Sequence, residues 1–164
     1  MNLKRLGAKQ MTLPEPEQFK VIVKTMKTAE ARQSKDCADL VRFLALSGYR
    51  ISETQQVTGA DVDLECGEIR DHNAKHCITT SAHGMRFVAI ITAMRELLEC
   101  MHQQQTLKPT DCVCVRGECE KSLTIAYKNV GATRIANHDL RHLLATRCPP
   151  PATSEPRRTR KESH

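Results

Sequence analysis

Apolar residues recur at helical spacing through much of the chain and at alternating spacing only in its middle. Phe19, Ile22, Val23 and Met26 form one stripe, with Lys20, Lys24 and Lys27 on the other faces. Thr12, Leu13 and Pro14, followed by Glu15 and Glu17, give this helix its start signal, since acids suit the first turn. Ser34 is placed to cap a second helix, whose Cys37, Leu40, Val41, Leu44 and Ala45 make a further stripe ending at Gly48. A short third helix is expected over Ile51 to Val57, followed by turns at Thr58-Gly59 and around Asp61, Asp63, Glu65 and Gly67.

The period then changes. Ile69, the pair Cys77-Ile78 and the run Phe87 to Ile91 are short β-prone segments separated by polar turns, which predicts a small antiparallel sheet. From Thr92 the helical period returns through Met94, Leu97, Leu98 and Met101 as far as the Gln103-Gln104-Gln105 run, and Lys108-Pro109 closes that segment. Cys112 to Val115 reads as a buried strand or an extended loop. Ser122 is placed to cap a helix through Leu123, Ile125, Ala126 and Val130, stopped by Gly131. A last helix is expected from His138 to Arg147, because Pro149, Pro150 and Pro151 forbid its continuation. The fold class is therefore α+β, mainly helical with a small antiparallel sheet.

Length, charge and cysteines narrow the class. A chain of 164 residues supports one domain. No apolar run approaches the roughly 18 residues of a membrane span, and no apolar stretch follows the basic N-terminus, so neither a membrane nor a secretory signal is expected. A cytoplasmic protein is expected, in which the eight cysteines are reduced and mostly fill the core. Cys112, Cys114 and Cys119 lack the paired spacing of a structural zinc site. The net charge is +6, of which residues 155 to 164 contribute +2, so the body itself carries +4 and favours a polyanionic partner.

Two local signatures bear on chemistry. Ser47-Gly48-Tyr49-Arg50-Ile51-Ser52-Glu53 follows the second helix, and His138-Asp139-Leu140-Arg141-His142 opens the last one. Arg50 alone, following a helix end, would be read as a surface charge near the helix dipole. His138 and His142 share a helical face, as two zinc-binding histidines would, but Asp139 is too short for the general base of that motif and no third ligand is signalled. No metal and no small-molecule cofactor are expected.

Taken together and in this order, with a hairpin between them, the two signatures resemble the catalytic domain of tyrosine recombinases of the phage-integrase family. The first matches the pattern T-G-x-R-x-S-E, with Ser47 in place of Thr. The second matches H-x-L-R-H followed by Ala145-Thr146. The resemblance spans roughly Leu13 to Arg147 and implies an integrase-like fold, double-stranded DNA as partner and a recombinase homo-oligomer on that DNA. It implies that Arg50 and Arg141 hold the scissile phosphate, where forked guanidiniums neutralise charge on the non-bridging oxygens, and that His138 moves a proton there. Arg86, in the strand after the hairpin, is a further candidate for DNA contact.

The sequence also departs from the family. Ser81 falls where the family places its hairpin lysine; Lys75, a few residues upstream, is a candidate replacement if the hairpin is re-registered, and otherwise a solvated turn lysine. After Arg147 the character changes abruptly, and no tyrosine follows to act as nucleophile; Tyr49 and Tyr127 both precede His138. The expected organisation is a linker remnant over residues 1–11, a truncated catalytic domain over 12–147 and a disordered basic tail over 148–164, the break suggesting a frameshift or premature stop. A DNA recombination and integration domain from a mobile element, inactive alone, is the expected function. The rival reading is a non-catalytic DNA-binding or regulatory interaction module.

Overall fold

The structure is a computed structural model, and residues 13–71, 86–105 and 108–143 are described. The segments over 1–12 and 144–164, including the expected linker and tail, lie outside the described residues, as do Lys75, Cys77, Ile78 and Ser81.

Helix α1 spans Pro16–Thr28. Its start differs slightly from the sequence expectation. Glu15 is the N-cap, in a reciprocal capping box with Gln18, and Pro16 takes the first helical position, where a missing N–H costs nothing. Phe19, Ile22, Val23 and Met26 are buried, as the periodicity predicts. Helix α2 spans Ser34–Ser47 and is buried on nearly all sides. Ser34 is not its cap: Gln33 holds that position, and Ser34 is the first helical residue, itself buried. Gly48 ends α2 in the left-handed region at φ 70°, with its N–H bonded to the Leu44 carbonyl.

Helix α3 is a single turn, Ile51–Thr54, and does not reach Val57. The chain leaves it early because Val57 and Thr58 pair with the loop after α4. Val113 N–H donates to the Val57 carbonyl, Thr58 bridges Cys112, and Gly59 and Ala60 take the carbonyls of Asp111 and Pro109. Cys112 to Val115 is accordingly an extended loop. Val113 and Cys114 are buried, whereas Val115 points outward.

A 3-10 turn, Gly59–Asp61, leads into the sheet. Strands β1 (Val62–Asp63), β2 (Glu68–Asp71) and β3 (Arg86–Ala89) form an antiparallel sheet in the order β1-β2-β3. In its register Ile69 faces Val88 and Asp71 faces Arg86. Ile69 is the sheet's fully buried residue, while Phe87, on the opposite face of β3, is exposed.

Helix α4 spans Thr92–Gln105 and buries Met94, Leu97, Leu98 and Met101. Arg95 reaches back to the Leu64 carbonyl at 2.7 Å, joining α4 to the β1–β2 turn. Helix α5 spans Glu120–Val130 and ends at Gly131. It starts before Ser122, on Cys119, with no side-chain cap. The Glu120 carboxylate instead binds Arg134 and the Asn137 amide, so tertiary partners rather than a hydroxyl fix this end. Helix α1 packs on α2 and α5, and α2 also packs on α4 and α5, so α2 is the centre of one core.

The expected last helix begins differently. Asn137–Asp139 is a 3-10 turn, and the chain turns again at Leu140 and Arg141. Leu140 and Leu143 are buried against the core, leaving Arg141 and His142 half-buried.

Candidate phosphate-contacting site

Arg50 is placed by the end of α2. Ser47 Oγ donates to the Phe43 carbonyl at 2.7 Å and accepts from the Tyr49 N–H at 3.2 Å, so serine holds the turn at the position where the resembling pattern has threonine. Gly48 reverses the chain, Tyr49 drops into the core at 1% exposure, and Arg50 emerges with its side chain 53% exposed. Alternation of a buried ring and an exposed guanidinium across one peptide is what an extended N-cap residue before α3 produces.

Glu53 then fixes Arg50 twice. Glu53 Oε2 accepts the Arg50 backbone N–H at 2.8 Å, and Oε1 accepts from Nη1 at 3.2 Å. The same carboxylate receives Arg86 Nη2 at 3.5 Å. Arg86 is itself paired with Asp71 at 2.9 Å, directly across the β2–β3 ladder, and its guanidinium carbon lies 4.7 Å from the centre of the Tyr49 ring. Phe43 also stacks on Tyr49, with ring centres 5.8 Å apart. The contacts of Tyr49 with Phe43 and with Arg86 thus connect the helical core to the sheet, and Glu53 links them to Arg50.

Arg141 and His138 belong to a different part of the chain. Asn137 is held at the start of α5 by Glu120 at 3.1 Å and by the Cys119 thiol at 3.4 Å, which anchors the turn carrying both residues. Of His138 the backbone alone is described. Among the described residues no hydrogen bond or ion pair joins Arg141 to the Arg50–Glu53–Arg86 group. Sequence reasoning singled out Arg50, Arg86 and Arg141 but missed Asp71 and Tyr49 as members of the assembly. Asp71 had a signal: an acid on the inward face of a strand, at the bound of an alternating segment.

Both tyrosines are buried, Tyr49 at 1% and Tyr127 at 2% exposure. Burial pushes the Tyr127 phenol up to about 12. Burial, reinforced by the Asp71 carboxylate, raises the Tyr49 phenol further. Cys37, Cys114 and Cys119 are buried too, and burial lifts the Cys119 thiol to about 12. Among the described residues no three His, Cys, Asp or Glu side chains are grouped as metal ligands, and no helix is long and apolar enough to cross a membrane.

No model of a known protein family matches the chain, and no curated protein matches it in sequence. Solved structures do match. The XerA recombinase structure is 18% identical, with a TM-score of 0.62 over 85% of this chain and 50% of that one. The Tn1549 transposon integrase in complex with circular intermediate DNA is 17% identical, with a TM-score of 0.61 over 86% of this chain and 55% of the integrase. A variant of that integrase, in complex with transposon right end DNA, is 17% identical with a TM-score of 0.64, over 88% of this chain and 55% of the other. The chain thus spans about half the length of each structure it matches. Its α+β fold is the one these recombinase and integrase structures share, the tyrosine recombinase fold that its two sequence signatures resemble.

Proposed function

We propose that this chain is a DNA-binding domain of the site-specific recombinase and integrase class that grips the backbone of double-stranded DNA but does not cleave it by itself. The observation that carries the reading is an exposed Arg50, pinned through one edge by Glu53, in a fold shared with a recombinase and a DNA-bound integrase. Glu53 bonds Arg50 through Nη1, which leaves further N–H donors of the guanidinium for the two oxygens of a phosphate. Arg141 is the second phosphate ligand in this reading, with His138 beside it for proton transfer and Lys75 as the leaving-group acid. A preorganised guanidinium of this kind is worth on the order of 3 kcal/mol to a phosphoryl-transfer barrier.

Cleavage itself needs an oxygen nucleophile at phosphorus, and the chain's two phenols are both buried and held protonated. Neither of these two phenols is therefore the nucleophile in this reading, which would have to be supplied from elsewhere, as by another copy in a homo-oligomer on DNA. The same burial favours the rival reading of a non-catalytic DNA-binding module.

Duplex affinity measured against salt tests the reading. Arg50→Ala and Arg141→Ala are each expected to weaken binding about equally on all sequences and to lower the salt slope by about 1. Affinity unchanged by both substitutions would remove the reading. A nicked duplex that traps covalent products should give no adduct with the purified chain.

A further inference from the structure

We infer that Arg86 is a positioning residue for Arg50, acting through Glu53, rather than a DNA ligand in its own right; this rests on the functional reading above. Arg86 is about one quarter exposed, and its charge is engaged from three sides: Asp71 at 2.9 Å, Glu53 at 3.5 Å and the face of Tyr49. A guanidinium so engaged has little left to offer a phosphate. Its effect lies in the charge of the group around it. Arg50 and Arg86 carry two positive charges and Glu53 and Asp71 two negative ones, within one set of contacts. Without Arg86 the Glu53 carboxylate would keep one of the two guanidiniums that balance it, and a phosphate approaching Arg50 would meet more negative charge than before.

Geometry gives the same assignment. Glu53 has one oxygen on Arg50 Nη1 and the other shared between the Arg50 N–H and Arg86. Removing Arg86 frees the Glu53 carboxylate on one side and takes away the guanidinium that faces Asp71 across the ladder. The direction in which Arg50 points is thereby set by a residue of β3.

The test is a double-mutant cycle read in two ways on the full chain. Duplex affinity is measured for the unaltered chain, Arg50→Ala, Arg86→Gln and the double variant, and the order of the Arg50 Nε–H is measured by NMR relaxation without DNA. Arg86→Gln is expected to weaken binding on the order of tenfold alone, to add nothing in the Arg50→Ala background, and to loosen the Arg50 side chain. Arg86→Lys, which keeps a cation opposite Asp71, guards against a folding defect and should lose the Arg50 order while retaining thermal stability. Losses that add in the double variant would make Arg86 a direct contact or a general stabiliser and overturn the inference. So would an Arg50 side chain that stays ordered in both Arg86 variants. Binding indifferent to Arg50→Ala would instead sink the functional reading, an outcome separate from the NMR result.

Discussion

Tyr49 and Tyr127 are the chain's two phenols, and their surroundings decide what they can do. Each is closed off from water, and burial is the first cause of the raised value in both. A folded state that holds its phenols neutral binds their protons more tightly than the unfolded state does. The stabilisation is therefore fully present below the ordinary phenol value of 10.0 and is lost as pH rises from there toward about 12. Cys119, raised from 9.0 to about 12, starts the same decline lower. Urea midpoints are expected to hold level up to about pH 9.0 and then fall, with tyrosinate absorbance appearing only as the structure is lost. Tyrosinate formed at pH 10.0 with the fold intact would mean that a phenol is open to solvent and would reopen the question of a nucleophile. The sequence showed that no tyrosine follows His138; the closure of Tyr49 under Arg86 needed the fold, because the cation that covers it comes from a strand far along the chain.

Elements with strong local signals formed as read, and those set by distant partners did not. The stripe of α1 and the return of the helical period at Thr92 are matched by buried residues at the same positions. The starts of α2 and α5 were misplaced by hydroxyl residues that are not caps. The premature end of α3 was illegible because its cause is the loop over residues 108–113 pairing with Val57 to Ala60. That pairing depends on close backbone approach: a Cβ added at Gly59 would stand 2.8 Å from the Lys108 carbonyl oxygen. Backbone cannot yield as a flexible side chain does. Gly59→Ala is expected to cost about 1–3 kcal/mol in chemical denaturation, with the Thr58–Cys112 bridge lost first by amide exchange.

At the scale of the molecule, α2 organises both the core and the site. Its buried face meets α1, α4 and α5, and its end delivers Tyr49 inward and Arg50 outward. The fold class was legible because it follows from periodicity, and Arg50 stood out as a candidate through a local signature. The tie between Arg50 and the sheet was not legible, since it joins residues from three segments through side chains whose directions no periodicity specifies. That tie passes through the Asp71–Arg86 pair, and side chains on a strand alternate between faces. Sliding β3 by one residue would bring Phe87 beneath the Tyr49 ring and throw the guanidinium to the outer surface. The phase of β3 is thus part of the site: one residue inserted immediately after Arg86 should weaken duplex binding on the order of tenfold, as is expected of Arg86→Gln.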